Sequence, residues 1–415
     1  MQKQKKKVLF VGYGGGHITI LDKIAESLIN EDELDVLILP LNGAIPFIKK
    51  KYDEAVFCPL SKFASIFDKD IDKILGYGSS LLTENYNPNI GLSKFESMFY
   101  LGLSYYDLVL QTDEETAAEI YSKRKRQAFY PYNVLTTIFS QIKPDLVITT
   151  TSPRFESAAL KAAKGLGIQS LQILDLFGDD YPVPSADHIV VMNQSVSEKL
   201  RSRGNIESKF YPYGQPILDE TIETINSLDI ERLKRNRGLS GKKILLFGPT
   251  RNYVFNEDLS IKAELDGTEM NNSIFAILDE VAEKFGIQII LRPHPSDHAD
   301  NYIKFIADKP HYRVCPDLSI YEAIAISDYV LSYSSTIVVQ SVVSNKKSFT
   351  FNQNPDELYH WPELSKDPFI YSSDLDELRN NLMENMENRK MVELTSFFEK
   401  GAVNKIKILI KKLTK

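Results

Sequence analysis

Short unbroken apolar runs alternate along the chain with stretches whose apolar residues recur every three or four positions. A continuous apolar run is buried on both faces, as in a parallel sheet, and the periodic stretches between such runs read as crossover helices. On this pattern Val8–Gly12, Leu34–Pro40, Asp145–Thr149, Gln169–Leu174 and His188–Met192 are predicted strands. Helices are predicted over Ile18–Ile29, Val134–Gln141, Glu156–Leu166 and Ser195–Ser202. Residues 41–130 carry many aromatics and only weak helical periodicity. A second series then begins. Its strands are Lys243–Phe247, Gln288–Arg292, Tyr329–Ser332 and Ser348–Phe351, and its helices are Ser273–Phe285, Ile320–Ile326 and Thr336–Val343.

Two such series in 415 residues exceed what one core usually serves, so two doubly wound α/β domains are expected. The joint falls near the Gly214-Gln215-Pro216 turn and the polar helix after it. The expected division is 1–220, an N-terminal Rossmann-like domain, then 221–390, a second one, then a C-terminal basic amphipathic helix over 391–415. Ligands of such sheets bind outside the carboxyl ends of the strands. Chemistry is therefore sought just after each strand, with the two sets of strand ends expected to face across a cleft.

Composition narrows the classes. Hydrophobic residues at 43% and charged residues at 25% are ordinary for a soluble globular protein. A formal net charge of −7 argues against a general nucleic-acid-binding field. The two cysteines, Cys58 and Cys315, give neither metal spacing nor a disulfide framework. Lys3 and Lys5–Lys7 precede an apolar run too short for a signal peptide, and no run reaches the roughly 18 residues of a spanning helix. A cytoplasmic protein is expected. The Lys405–Lys415 segment alternates lysines with Ile406, Ile408, Leu409, Ile410 and Leu413. It reads as a closing helix packed on the body, with a peripheral contact to the inner membrane surface as the competing role.

The first strand runs into Gly12-Tyr13-Gly14-Gly15-Gly16-His17. Glycines at a strand-to-helix turn let a ligand approach Gly15 and Gly16 and leave helix N–H groups free. A dinucleotide fingerprint would also need an acidic residue at the end of the second strand, and the chain has Leu39-Pro40-Leu41-Asn42 there. His17 is either a helix-start histidine with a satisfied ring or a general base for a hydroxyl. Thr149-Thr150-Thr151-Ser152-Pro153-Arg154 and Asp175-Leu176-Phe177-Gly178-Asp179-Asp180 follow two further strands. A carboxylate there is a candidate base or a partner of acceptor hydroxyls, and Asp179 and Asp180 are taken as the catalytic candidates beside His17.

Three loops of the second series suit phosphate. Arg292-Pro293-His294-Pro295 fixes the backbone on both sides of His294, whose ring donates to a phosphate oxygen while Arg292 adds charge. Ser332-Tyr333-Ser334-Ser335-Thr336 places four hydroxyl residues among five at a helix start. Gly248-Pro249-Thr250-Arg251-Asn252 offers Thr250 and Arg251 to a diphosphate. Asp68-Lys69-Asp70 and Asp374-Leu375-Asp376 have the shape of a metal-binding acidic pair but lie in polar helix-like segments, so they read as solvated surface and no metal is expected.

Together these motifs resemble the GT-B superfamily of glycosyltransferases and nucleotide-sugar epimerases. The Gly14-Gly15-Gly16-His17 turn is similar to the glycine-histidine loop of the lipid II N-acetylglucosaminyltransferase and of plant glucosyltransferases; in the latter the histidine is the base, which implies that role for His17. Lys143-Pro144-Asp145-Leu146-Val147 and Gly214-Gln215-Pro216-Ile217-Leu218-Asp219 resemble the non-hydrolysing UDP-N-acetylglucosamine 2-epimerases. His294-Pro295 with Ser334-Ser335 is similar to the paired motifs of bacterial sialyltransferases and of CDP-glycerol glycerophosphotransferases, which implies donor-phosphate contacts for His294, Ser334 and Ser335. Ser334-Ser335-Thr336 stands where the epimerases carry Ser-Gly-Gly. Gln340 lies near the ribose-binding glutamate of many GT-B enzymes. The resemblance implies a metal-independent, cofactor-free glycosyltransferase. It would move a sugar from a UDP- or CMP-sugar to a glycan or lipid-linked acceptor, with roles in bacterial surface polysaccharide or capsule synthesis. A glycerophosphotransferase, a 2-epimerase and a non-catalytic nucleotide-sugar-binding subunit are the alternatives.

Overall fold

Val8, Leu9, Phe10 and Val11 have no exposed surface at all, which fits a strand covered on both faces. The structure, a computed structural model, describes residues 4–415 apart from 89–90, 178–184, 205–206, 250–252, 256–260, 265–267, 294–299, 316, 334, 353–361 and 387–396. The chain divides into two units, Met1–Ile217 with Glu399–Lys415, and Leu218–Phe398.

The first unit begins β1 (Lys6–Gly12), α1 (Gly16–Leu28), β2 (Leu34–Pro40) and α2 (Ala44–Lys49). A helical excursion follows: α3 (Ile71–Asn85), α4 (Lys94–Gln111), α5 (Glu114–Arg124) and α6 (Tyr132–Ile142). The alternation then resumes with β3 (Leu146–Thr149), α7 (Phe155–Gly165), β4 (Gln169–Ile173), β5 (His188–Val191), α8 (Gln194–Ser202) and β6 (Lys209–Pro212). The strands form one sheet in the order β2-β1-β3-β4-β5-β6, parallel throughout. Phe57 makes a lone parallel bridge to Ile38 on the outer edge of β2, where the commonest doubly wound order places a further strand. After β1 and β2 the chain returns to the other side of β1, so the order reverses between β1 and β3. Doubly wound sheets bind ligands at that reversal.

Helix α9 (Pro216–Ser227) leads into the second unit through α10 (Ile230–Asn236) and β7 (Ile244–Gly248), and a β8–β9 hairpin (Tyr253–Phe255, Ile261–Glu264) precedes α11 (Thr268–Phe285). Then come β10 (Gln288–Leu291), α12 (Asp300–Ile306), β11 (Tyr312–Val314), α13 (Ile320–Ile326), β12 (Tyr329–Ser332) and α14 (Thr336–Val343). The unit ends with β13 (Lys347–Phe351), β14 (Ile370–Ser372) and α15 (Leu375–Asn385). Its parallel sheet runs β11-β10-β7-β12-β13-β14, with the reversal between β7 and β12. Helix α16 (Ala402–Leu413) belongs again to the first unit.

Ala402, Ile406, Leu409 and Ile410 of α16 join Ile20, Leu21, Ile24 and Leu28 of α1 in one core. Lys407 and Lys411 both reach Glu31, whose carboxyl they pull down to about 2. Among the described residues no helix is long and apolar enough to cross a membrane.

Strands β6, β8, β9, β11 and β14 and the helices α2–α5 and α12 are additions to the sequence-based expectation. Two glycines decide how α3 and α4 pack. A Cβ on Gly78 would fall inside van der Waals contact of the Met98 carbonyl oxygen on α4, and one on Gly102 would do the same to the Ile74 carbonyl on α3. Glycine inside a helix costs about 1 kcal/mol relative to alanine, yet here the backbones meet only because the side chains are missing. Gly78→Ala and Gly102→Ala are therefore expected to destabilise the protein by about 1–3 kcal/mol, the cost of overpacking, instead of stabilising it. Urea denaturation midpoints check the sign.

Candidate active site

Three neighbouring strand ends, β1, β3 and β4, bring the functional side chains of the first unit together. After β1, Gly15 adopts φ 71° and ψ −143°, a conformation open essentially to glycine alone. Gly14 brings the loop against residue 43, where a Cβ would sit 3.3 Å from the backbone. This tight turn starts α1 at Gly16 and puts His17 in its first turn, part-exposed.

Glu156, on the first turn of α7, has no exposed surface. Among the described residues no cation bonds it; its carboxylate is filled by amides and one hydroxyl. Tyr13 N–H donates to Oε1 at 2.8 Å. Thr150 N–H donates to Oε2 at 2.9 Å, Ser152 N–H at 3.3 Å, and the Thr150 hydroxyl at 2.6 Å. The Thr150 hydroxyl hydrogen is thereby spent. Its oxygen also lies 2.7 Å from His17 Nδ1 and can only accept there. In the neutral ring Nδ1 therefore carries the proton and Nε2 the lone pair. Among the described residues nothing bonds Nε2. A base whose second nitrogen is oriented through a hydroxyl by a buried carboxylate follows the logic of nucleophile-activating triads.

Asp175, just after β4, completes the cluster. Burial, with Glu156's charge adding to it, holds its carboxyl above the usual range, and the proximity of His17 only partly offsets this. Gln172 donates from Nε2 to the Thr150 carbonyl at 2.9 Å and fixes that loop from β4. Among the described residues three buried polar atoms at these strand ends have no partner: Thr151 Oγ1, Gln172 Oε1 and Gln215 Oε1. The chain holds Gln215 by a bond from Nε2 to the Leu174 carbonyl. Native proteins leave few such groups unsatisfied, and they suit a polyhydroxyl ligand.

In the second unit, Ser332 Oγ donates to the Gly248 carbonyl, tying the ends of β7 and β12 together at the reversal. Ser335 is the cap residue of α14 but its side chain does not cap, and Thr336 beside it is exposed. Capping therefore does not explain that serine. Arg292 follows β10 directly, with its amide held by the Phe247 carbonyl at 2.9 Å; burial lowers its guanidinium's pKa. Gln340 is 7% exposed and donates to Thr221 Oγ1 at 3.1 Å. Thr250, Arg251, His294, Pro295, Ser334, Asp179 and Asp180 lie outside the described residues. Asp70 and Asp374 precede α3 and α15, and Asp374 accepts from the Glu377 amide as a helix cap. Among the described residues no group of three His, Cys, Asp or Glu side chains could hold a metal.

Sequence reasoning singled out His17 and the loops after β3 and β4 but not the chain of bonds through Thr150. The Thr-rich run followed by a glutamate on the next helix was the available signal. Its pairing with His17 spans 133 residues and needs the sheet order.

No family model matches the chain, and no curated protein matches its sequence. Solved structures do match in shape. The UDP-GlcNAc 2-epimerase of Methanocaldococcus jannaschii aligns with a TM-score of 0.60 at 11% identity, covering 98% of this chain and 99% of that one. That of Neisseria meningitidis, bound to UDP-GlcNAc, aligns at 0.61 and 11%, covering 98% and 99%. Acinetobacter baumannii MurG aligns at 0.55 and 12%, covering 99% and 100%. The protein thus has the GT-B fold, two parallel-sheet α/β units.

Because Asp175 holds its proton more tightly folded than unfolded, its contribution to stability is full below the ordinary carboxylate range and is lost as pH rises through its raised value. Asp175→Asn removes that loss. The variant's stability relative to the native chain is expected to be higher at pH 7 than at pH 4, as denaturation midpoints at the two pH values will show.

Proposed function

We propose that the chain is a glycosyltransferase that moves a sugar from a UDP- or CMP-sugar to a hydroxyl of a glycan or lipid-linked acceptor, in bacterial surface polysaccharide or glycoconjugate synthesis. The observation that carries this reading is the unbonded Nε2 of His17, backed through Thr150 by Glu156. The acceptor hydroxyl gives its proton to Nε2, and its oxygen forms a bond to the anomeric carbon. The bond from that carbon to the donor phosphate breaks, and the nucleotide leaves with the electron pair. The imidazolium that forms keeps its Nδ1–H on Thr150, so Glu156 stabilises the new charge through one hydroxyl. Arg292, Ser335 and Thr336 are the described groups suited to the leaving phosphate, and His294, Pro295, Ser334, Thr250, Arg251 and Gln340 complete the donor set on the sequence reading. Asp179 and Asp180 remain candidates for acceptor contacts.

A 2-epimerase is the second reading, favoured by the full-length likeness to enzymes of that activity. An epimerase converts UDP-GlcNAc with no acceptor present, whereas a transferase needs one or else slowly hydrolyses its donor. Assaying the pure chain with the nucleotide-sugar alone separates the two.

His17→Ala is expected to bind nucleotide with native affinity yet transfer sugar about 10²–10⁴-fold more slowly, the range for losing a general base. Collapse of nucleotide binding in this variant would move the glycine loop to the donor. Turnover is expected to survive excess chelator, because basic side chains and helix N–H groups take the cation's place. Loss that Mg²⁺ or Mn²⁺ restores would overturn the metal-independent reading.

A further inference from the structure

The Tyr13 ring, which opens the glycine loop, sits between two arginines. Arg126, in the single helical turn Lys125–Ala128, donates from Nη2 to the Tyr13 phenol oxygen at 2.7 Å. Asn42, just after β2, donates to the same oxygen at 2.7 Å. Arg154, ahead of α7, lays its guanidinium carbon 5.8 Å from the Tyr13 ring centroid and donates from Nη1 to the Arg126 carbonyl at 2.7 Å. Both arginines are part-buried.

What they lack is an anion. Among the described residues neither arginine forms an ion pair, although the part-buried Lys411 does, meeting Glu31 at 2.5 Å. Arg126 Nε is buried and has no acceptor among the described residues. The carboxylate next to them, Glu156, is occupied by amides and by Thr150. Burying a guanidinium against neutral partners is costly, and an incoming anion removes that cost. The phenol of Tyr13 feels the resulting positive potential. Burial alone would raise its pKa, but Arg126, the Asn42 amide and Arg154 outweigh it and hold the phenol below its usual value.

We propose that Arg126 and Arg154, flanking Tyr13, form a subsite for an anionic group, a carboxylate or a phosphate, on the molecule whose hydroxyl His17 deprotonates. The inference rests on the transferase reading and narrows its acceptor to an acidic sugar or a phosphorylated one. Tyr13 links the subsite to the base: its amide and the Thr150 hydroxyl that bonds His17 meet on the same Glu156 carboxylate. Planar guanidinium forks suit the paired oxygens of either anion.

Isothermal titration of the full chain, with UDP saturating, compares glucuronate, glucose 6-phosphate and glucose. At least one anionic sugar is expected to bind tenfold or more tighter than glucose, and which one does so identifies the carboxylate or the phosphate. Arg126→Gln and Arg154→Gln should each abolish that preference while UDP affinity is unchanged. Arg→Lys at either site keeps the charge, loses the fork and should weaken the preference. That comparison serves if a glutamine variant fails to fold. Equal binding of all three sugars, or a preference intact in both arginine variants, overturns the subsite. If UDP, CMP and CDP all fail to bind while arginine-dependent anion binding persists, the transferase reading falls and the subsite stands.

Discussion

The carboxylate of Glu156 is the constraint on which the N-terminal site depends. It is sealed from water and has no cation among its described partners, so its charge is borne by amide and hydroxyl donors from the loops after β1 and β3. A buried charge is tolerable only when its lone pairs are filled, so the two loops cannot relax independently without leaving it exposed to a low dielectric. The same bonds set the tautomer of His17. Structure and chemistry thus share one group: what holds the loops also decides which ring nitrogen is free.

Sheet order makes that arrangement available. Because β1 and β3 are neighbours on opposite sides of the reversal, loops 133 residues apart lie side by side. The second unit repeats the device with β7 and β12, joined by Ser332 to the Gly248 carbonyl.

Most of the two sheets was legible in the sequence, because buried parallel strands are unbroken apolar runs and β1, β3, β7, β10 and β12 are such runs. Three of the four outermost strands were not. Strands β6, β11 and β14 read Lys-Phe-Tyr-Pro, Tyr-Arg-Val and Ile-Tyr-Ser and are only partly buried, so no run announces them. The excursion α3–α5 was blurred for another reason: Gly78 and Gly102 weaken the local helical signal, and their value appears only when the helices meet. At the site, the glycines were visible because a strand-to-helix turn favours them, and His17 because it follows them directly as a titratable side chain at the helix start. Arg126 was not, since it lies in the Ser122-Lys123-Arg124-Lys125-Arg126-Gln127 run, where charge density reads as solvated surface and nothing local marks one arginine as turned inward. Asp175 was visible as a loop acid, but its raised affinity for a proton follows from burial, which periodicity does not report.

The return of α16 to the first unit has a consequence for how the protein is made. Gly214, at φ 97°, comes so close to the Glu399 carbonyl that a side chain there would not fit, so the chain leaves the first unit and re-enters it at one spot. The second unit is in effect an insertion. During synthesis from the N-terminus, the apolar face of α1 waits through the whole of residues 218–398 for Ile406, Leu409 and Ile410 to emerge and cover it. The unit that begins first is completed last. A chain that stops short of α16 would carry His17, Thr150 and Glu156 on a scaffold with an open core, a ready target for proteases and chaperones.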